Sequence, residues 1–326
     1  MFVEFLILVV SLVFLVWSAD KFVFGASSIA RNYGISPMVI GLTIVAMGSS
    51  APEMMVAATA SFQGAPNTAI GNAIGSNITN IALVLGVTAL LAPLKVSSNT
   101  IKKELPLTLA ITLLACYVLW DQYFSFTEGL LLLILFFVYI FGLLFITIRR
   151  KQQAAGTGEE DPYIAEAEAE VPEAVSKPMS FFWLAVGLVL LPLSAGYLVE
   201  SATDIAKAFG VSDLVIGLTI IAIGTSLPEL AASIASIIKK EDDLALGNII
   251  GSNIFNILAV LSLAGVIAPG NIDAQAATRD APIMLAITLL LFALCFSRIK
   301  GAFRITRLKG AALLACFFGY QALLFM

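Results

Sequence analysis

Glu53 and Glu229 each stand inside a long apolar stretch, in the phrases GSSAPE from Gly48 and GTSLPE from Gly224. A charged side chain at the centre of a bilayer costs about 3 kcal/mol on insertion scales, so two of them need compensation. No Lys or Arg lies within the apolar stretches around them. Their neighbours are Ser, Thr, Gly and Pro. Proline removes an amide donor and frees the carbonyl four residues earlier, that of Gly48 for Pro52 and that of Gly224 for Pro228. Freed carbonyls, hydroxyls and a carboxylate make a cluster of hard oxygen donors. Such donors suit Ca2+ or Na+, whereas softer metals favour His and Cys.

Further oxygen comes from a second pair of phrases, GNAIGSNITN from Gly71 and GNIIGSNIFN from Gly247. On a helix Asn72, Ser76 and Asn80 share one face, as do Asn248, Ser252 and Asn256. Ser76, Asn80, Ser252 and Asn256 read as ion-facing. Asn72, Asn77, Asn248 and Asn253 read as residues that cap or bridge neighbouring helices. Gly71, Gly75, Gly247 and Gly251 fall in small-xxx-small patterns that let helices approach closely.

Every one of these residues recurs at a single offset of 176 residues, VIGLTIVAMGSSAPE (Val39–Glu53) against VIGLTIIAIGTSLPE (Val215–Glu229) included. Glu104 and Asp280 also match, each ahead of an x-Pro step at a helix start, where an acidic residue complements the helix dipole. The chain is therefore two copies of one unit. With 60% apolar residues it is no ordinary soluble domain. A spanning helix needs about 20 mostly apolar residues. Such segments fall near 2–25, 36–61, 66–92, 105–120, 126–149, 180–205, 212–237, 243–268, 281–297 and 305–325. The expected fold is an all-α membrane protein of ten transmembrane helices in two five-helix repeats. Residues 1–150 form the first repeat, 151–179 an acidic, disordered linker, and 180–326 the second. Five crossings is an odd number, so the second repeat enters from the opposite side and the two are inverted.

Basic residues set the orientation. Arg149, Arg150, Lys151 and Lys177 flank the linker, and most other Lys and Arg fall on the same side. The linker is thus expected in the cytoplasm and both termini outside, in a multi-pass protein of a bacterial or archaeal cytoplasmic membrane. Asp20 and Lys21 read as a pair, Glu200 and Asp204 as a weak candidate for an access path. Cys116, Cys295 and Cys316 read as buried thiols. The chain has no His, which removes the usual proton shuttle. No nucleophile–base pair supports an enzyme, and no basic patch supports nucleic-acid binding.

With two copies in register, the paired G-[ST]-S-x-P-E and G-N-x-x-G-S-N-I phrases resemble the alpha repeats of the cation/calcium antiporter superfamily. Its compact prokaryotic sodium/calcium exchangers are the nearest type, and the resemblance covers all but the linker. It implies that the second, third, seventh and eighth spans surround one central site. The implied ion ligands are Ala46 through its carbonyl, Ser49, Ser50, Glu53, Ser76 and Asn80. The second half contributes Ala222, Thr225, Ser226, Glu229, Ser252 and Asn256. It also implies a monomeric exchanger of Ca2+ for Na+ in the lipid bilayer, without cofactor, whose first and sixth helices move. Some members carry Asp where this chain has Asn256, which leaves two formal negative charges in the core. A proton- or potassium-coupled Ca2+ antiporter is the alternative, and a passive cation channel a more distant one.

Overall fold

The computed structural model describes residues 2–35, 46–97, 100–154, 171, 173–239, 242–296, 298–299 and 302–326. Among them run ten helical spans. In the first half these are α1 (Phe2–Asn32), α2 (Ala51–Phe62, preceded by a turn at Ala46–Gly48), α3 (Pro66–Leu91), α4 (Leu105–Leu119) and α5 (Phe126–Ala154). In the second half they are α6 (Lys177–Phe209), α7 (Asp213–Ile238), α8 (Ala245–Ile267), α9 (Ala276–Phe296) and α10 (Arg307–Leu324). Seven of the ten, all but α2, α4 and α10, are long and apolar enough to cross a membrane on those grounds alone. Most of the expected linker, and residues 36–45, which include the start of the first signature phrase, lie outside the described residues.

Burial separates an inner layer from an outer one. The spans of α3 and α8 are 78% and 83% buried, against 28% for α1 and 22% for α5. Mean hydropathy runs the other way, 1.7 and 1.9 for the inner α3 and α8 against 2.5 and 3.0 for the outer α1 and α5, because the inner helices carry the polar signature residues and the outer ones face lipid. The outer helices carry Val10, Val13, Phe137, Val138 and Phe141 on exposed faces. Cys316 is exposed in the same way on α10, contrary to the expectation of a buried thiol, whereas Cys295 is buried. Helices α1 and α6 pack along each other closely enough that a Cβ at Gly187 would lie 2.5 Å from Phe22 Cα. At about 1.5 Å per residue, the 33 residues of α6 exceed a hydrocarbon core of about 30 Å. Such helices tilt or project beyond it.

Short strand pairs at the helix ends show that the repeats are inverted. Strand β1 (Leu94–Lys95) lies between α3 and α4, and β3 (Gly270–Asn271) holds the same place between α8 and α9. β1 pairs with β5 (Ala302–Ile305), in register Leu94 to Ile305, and β5 also pairs with β4 (Arg298–Ile299). β3 pairs instead with β2 (Tyr123–Phe124), Phe124 to Gly270. Counting crossings, β1, β4 and β5 lie on the face of the bundle that bears the linker, and β2 and β3 on the opposite face. Equivalent loops of the two repeats therefore emerge on opposite sides.

Glycine lets the repeats interleave. A Cβ at Gly71 on α3 would sit 2.5 Å from the Leu214 carbonyl oxygen of α7, and one at Gly75 would sit 2.7 Å from Ala222 Cβ. The helices α1 and α6 both end in left-handed glycines, Gly34 (φ 81°) and Gly210 (φ 66°), a conformation that costs glycine little.

Candidate functional site

The two signature helices break at the same place. Ser50 (φ −91°, ψ 6°) and Ser226 (φ −84°, ψ 3°) occupy the sparsely populated bridge region just ahead of Pro52 and Pro228. Beyond each break the chain re-enters a helix, with Met54 N–H donating to the Ser50 carbonyl at 3.0 Å and Leu230 N–H to that of Ser226 at 3.2 Å. The restarted helices carry Glu53 and Glu229 in their first turns, where a carboxylate meets the positive end of the dipole.

Both glutamates are fully buried, and none of their four carboxyl oxygens has a hydrogen-bond partner among the described residues. Glu53 is approached across the repeat boundary. Glu229 acts electrostatically on Glu53, and Thr225 brings its hydroxyl beside Glu53. Ser252, of the same repeat, stands beside Glu229. Neither hydroxyl closes a bond of hydrogen-bonding geometry with its carboxyl. Buried polar groups are normally paired, and a bare pair of carboxylates in a low dielectric is costly. The arrangement has the character of a site for a positive charge.

The neutral oxygens around them are in the same condition. Ser50, Ser76 and Ser226 hydroxyls and the side-chain amides of Asn80 and Asn256 are buried without partners. Asn80 and Asn256 also open matching π-helical turns, Asn80–Val84 and Asn256–Leu261. A π turn is a wider, locally mispaired coil that recurs at functional sites.

The remaining expected ligands are placed less simply. Ser49 is only half-buried, although its equivalent Thr225 is buried. The Ala222 carbonyl accepts the Ser226 amide at 3.1 Å, so one of its lone pairs is already engaged. Ala46 lies in the turn ahead of the α2 break.

Asn72 bridges, as expected. Its Nδ2 donates to the Glu53 carbonyl at 3.2 Å, and its Oδ1 lies 3.3 Å from the Thr225 hydroxyl. That hydroxyl also reaches the Ile221 carbonyl at 3.1 Å and, having one proton, serves one acceptor at a time. Asn248, the counterpart of Asn72, leaves its Nδ2 without a partner.

Elsewhere, Lys21 pairs with Asp20 at 2.8 Å, and Asp204 pairs weakly with Lys207 at 4.0 Å. Asp280 is more than a helix-start residue. It is fully buried, takes a bidentate contact from Arg279 at 2.8 and 3.1 Å, and accepts from the Tyr320 hydroxyl at 3.0 Å. No local pattern signals the Tyr320 contact, because it joins α9 to α10.

Inverted five-helix repeats around buried, uncompensated carboxylates define an integral-membrane cation antiporter, not an enzyme. A profile for a family described as sodium/calcium exchanger protein matches residues 3–145 and 179–326. The chain belongs to the sodium/calcium exchanger family. It is 55% identical to a putative antiporter, CaxA, of Alkalimonas amylolytica, over 100% of this chain and 99% of that protein. It is 32% identical to the sodium/calcium exchanger MaX1 of Methanosarcina acetivorans, over 99% of each. Among solved structures, the sodium-calcium exchanger NCX_Mj soaked with 2.5 mM Na+ and 0.1 mM Ca2+ aligns with a TM-score of 0.60 at 31% identity. That alignment covers 98% of both chains.

Proposed function

We propose that the chain exchanges Ca2+ for Na+ across the cytoplasmic membrane by alternating access, with Ca2+ moving outward. The observation that carries this reading is the pair of buried glutamates, one from each repeat, with no partner for either carboxyl. One Ca2+ neutralises both. Two Na+ do the same, and a third Na+ can take neutral oxygens from Ser50, Ser76, Asn80, Thr225, Ser226, Ser252 and Asn256. Ala46, Ser49 and Ala222 complete the ligand set through carbonyl or hydroxyl oxygens. The ions use overlapping donors, so they compete.

Coupling follows from charge. A site left empty carries two negative charges and is held back from crossing a low-dielectric barrier, so the site turns over only when loaded. The inward sodium gradient drives Ca2+ outward. If three Na+ enter per Ca2+, the membrane potential adds about 2.3 kcal/mol per 100 mV for the extra charge. Helices α1 and α6, which pack along each other, are the moving pair. Between them and α2 lies an apolar cavity of about 420 Å³, bordered by Phe22, Met47, Met54 and Leu191, a surface suited to sliding. The linker faces the cytoplasm, both termini face out, and the protein works as a monomer.

Relatives support the sodium assignment by their names alone, MaX1 and NCX_Mj both being sodium/calcium exchangers. The test is a flux assay in sealed proteoliposomes with sodium, potassium and pH gradients imposed independently. Ca2+ uptake should follow the sodium gradient and vanish in Glu53→Gln and in Glu229→Gln. Uptake driven by pH or requiring potassium would establish the alternative coupling, single-channel currents would establish a channel, and uptake surviving both substitutions would overturn the site.

A further inference from the structure

The site continues on one side only. Helices α7 and α8 run antiparallel as neighbours, and Ser252 stands beside Glu229. One helical turn toward the linker-bearing face, the same register sets Ser233 of α7 opposite Asn248 of α8. Ser233 is fully buried and its hydroxyl has no partner, although a helical Ser can usually bond back to the carbonyl one turn earlier. Ser236, farther along, does so, donating to Ala232 at 2.9 Å. Asn248 is half-buried and its Nδ2 is without a partner, so no hydrogen bond holds that edge of the amide, and a flip of the side chain presents Oδ1 there instead.

The first repeat does not reproduce this rung. Ala57 stands where Ser233 does, and Asn72, the counterpart of Asn248, is committed to the Glu53 carbonyl and Thr225. The polar pair is thus specific to the second repeat and to one face of the membrane.

We propose that Ser233 and Asn248 form a staging site for a single sodium ion between the central site and the linker-bearing face. Only neutral oxygens are on offer, which suits a monovalent hard cation better than Ca2+, whose sites use carboxylates. The Ser233 hydroxyl and, with the amide turned, Asn248 Oδ1 replace part of the ion's hydration shell as Na+ enters or leaves past Glu229. This inference rests on the exchange reading above.

The test uses the full chain in proteoliposomes sorted by orientation, with a linker cysteine accessible to a membrane-impermeant reagent as the marker. Sodium is varied on one face at a time. Ser233→Ala should raise the half-saturating sodium concentration on the linker-bearing face roughly threefold to tenfold, the scale of one lost neutral contact. Values for sodium on the opposite face and for Ca2+ should hold, and Ser233→Thr should restore the wild-type value. An unchanged value on the linker-bearing face, an equal shift on both faces, or a matching loss in Ser233→Thr would overturn the staging site and leave the exchanger reading intact. Absence of sodium-driven exchange in the wild type, seen before any variant is made, would overturn both.

Discussion

Asn253 donates from Nδ2 to the backbone carbonyl of Asn77 at 3.5 Å, and the two are the same residue of the two repeats, 176 positions apart. A residue meets its own counterpart only near the axis that relates the halves. The pseudo-two-fold axis therefore passes between α3 and α8 at this level. Ser76 and Ser252 sit immediately before these asparagines in sequence, and Asn80 and Asn256 follow within a turn. The candidate ligands are thus gathered about the axis, where both repeats supply donors to one site. A bond of 3.5 Å contributes little energy. Its value is as a marker of symmetry.

The glycine contacts between α3 and α7 predict a stability defect that is local. At Gly71 a methyl group would press on the Leu214 carbonyl, and at Gly75 on Ala222. Gly71→Ala and Gly75→Ala should each cost about 1–3 kcal/mol, the usual penalty of overpacking. Gly142 on α5, with nothing within 4 Å of its added Cβ, is the control, and Gly142→Ala should leave stability equal or better. Thermal unfolding in detergent measures all three. Equal melting temperatures for all three variants would contradict the packing described.

Asn72 links the backbone of Glu53 to Thr225 across the repeat boundary. Asn72→Ala should impair exchange without removing either carboxylate, and combining it with Thr225→Ala should cost less than the sum of the two. A coupling of about 0.5–1.5 kcal/mol in apparent Ca2+ affinity is expected of residues in one network. Strict additivity in the double-mutant cycle would mean that the contact does no positioning.

The parts legible in the sequence and the parts that were not differ for physical reasons. Glu53 and Glu229 announce themselves because a carboxylate in an apolar span is costly, and the inverted repeat because an odd number of crossings forces it. The end of α1 does not. Hydropathy reads a span over 2–25, but the helix runs on to Asn32, since Asp20, Lys21 and Arg31 lower the signal without breaking the helix. The π turns after Asn80 and Asn256 change the helix pitch without any distinctive residue. The Asp280–Tyr320 contact depends on how α9 meets α10. Ser233 lies one turn past Glu229, and a repeat comparison exposes it only once Ala57 is seen in its place.

Asp280 predicts a second stability defect, distant from the ion site. Its carboxylate is fully buried and holds Arg279 and Tyr320. Asp280→Ala strands the guanidinium, which keeps partial exposure, at about 3 kcal/mol, the low end for breaking a buried pair. Tyr320→Phe removes one hydrogen bond to a charged group, worth about 1.5–3 kcal/mol. Both should lower the melting temperature while half-saturating Ca2+ stays at its wild-type value in the protein that remains folded. A changed Ca2+ affinity in Tyr320→Phe would show that the cluster communicates with the site.

Asn256 offers the sharpest test of the charge account. It is fully buried, its side-chain amide has no partner, and it opens the π turn of α8. With Asn here, Glu53 and Glu229 supply the only carboxylates of the candidate ligand set, enough to balance one Ca2+. Asn256→Asp adds a third negative charge within the same cage at almost no change in volume. Affinity of oxygen sites for Ca2+ rises with the number of charged ligands, so half-saturating Ca2+ should fall several-fold at fixed sodium. More sodium should then be needed to displace it, because one extra monovalent ion must enter to balance the added charge. Uptake measured against sodium concentration in the two proteins decides the matter. Identical competition curves would mean that residue 256 does not face the ion, and the ligand set would then have to be redrawn around α7.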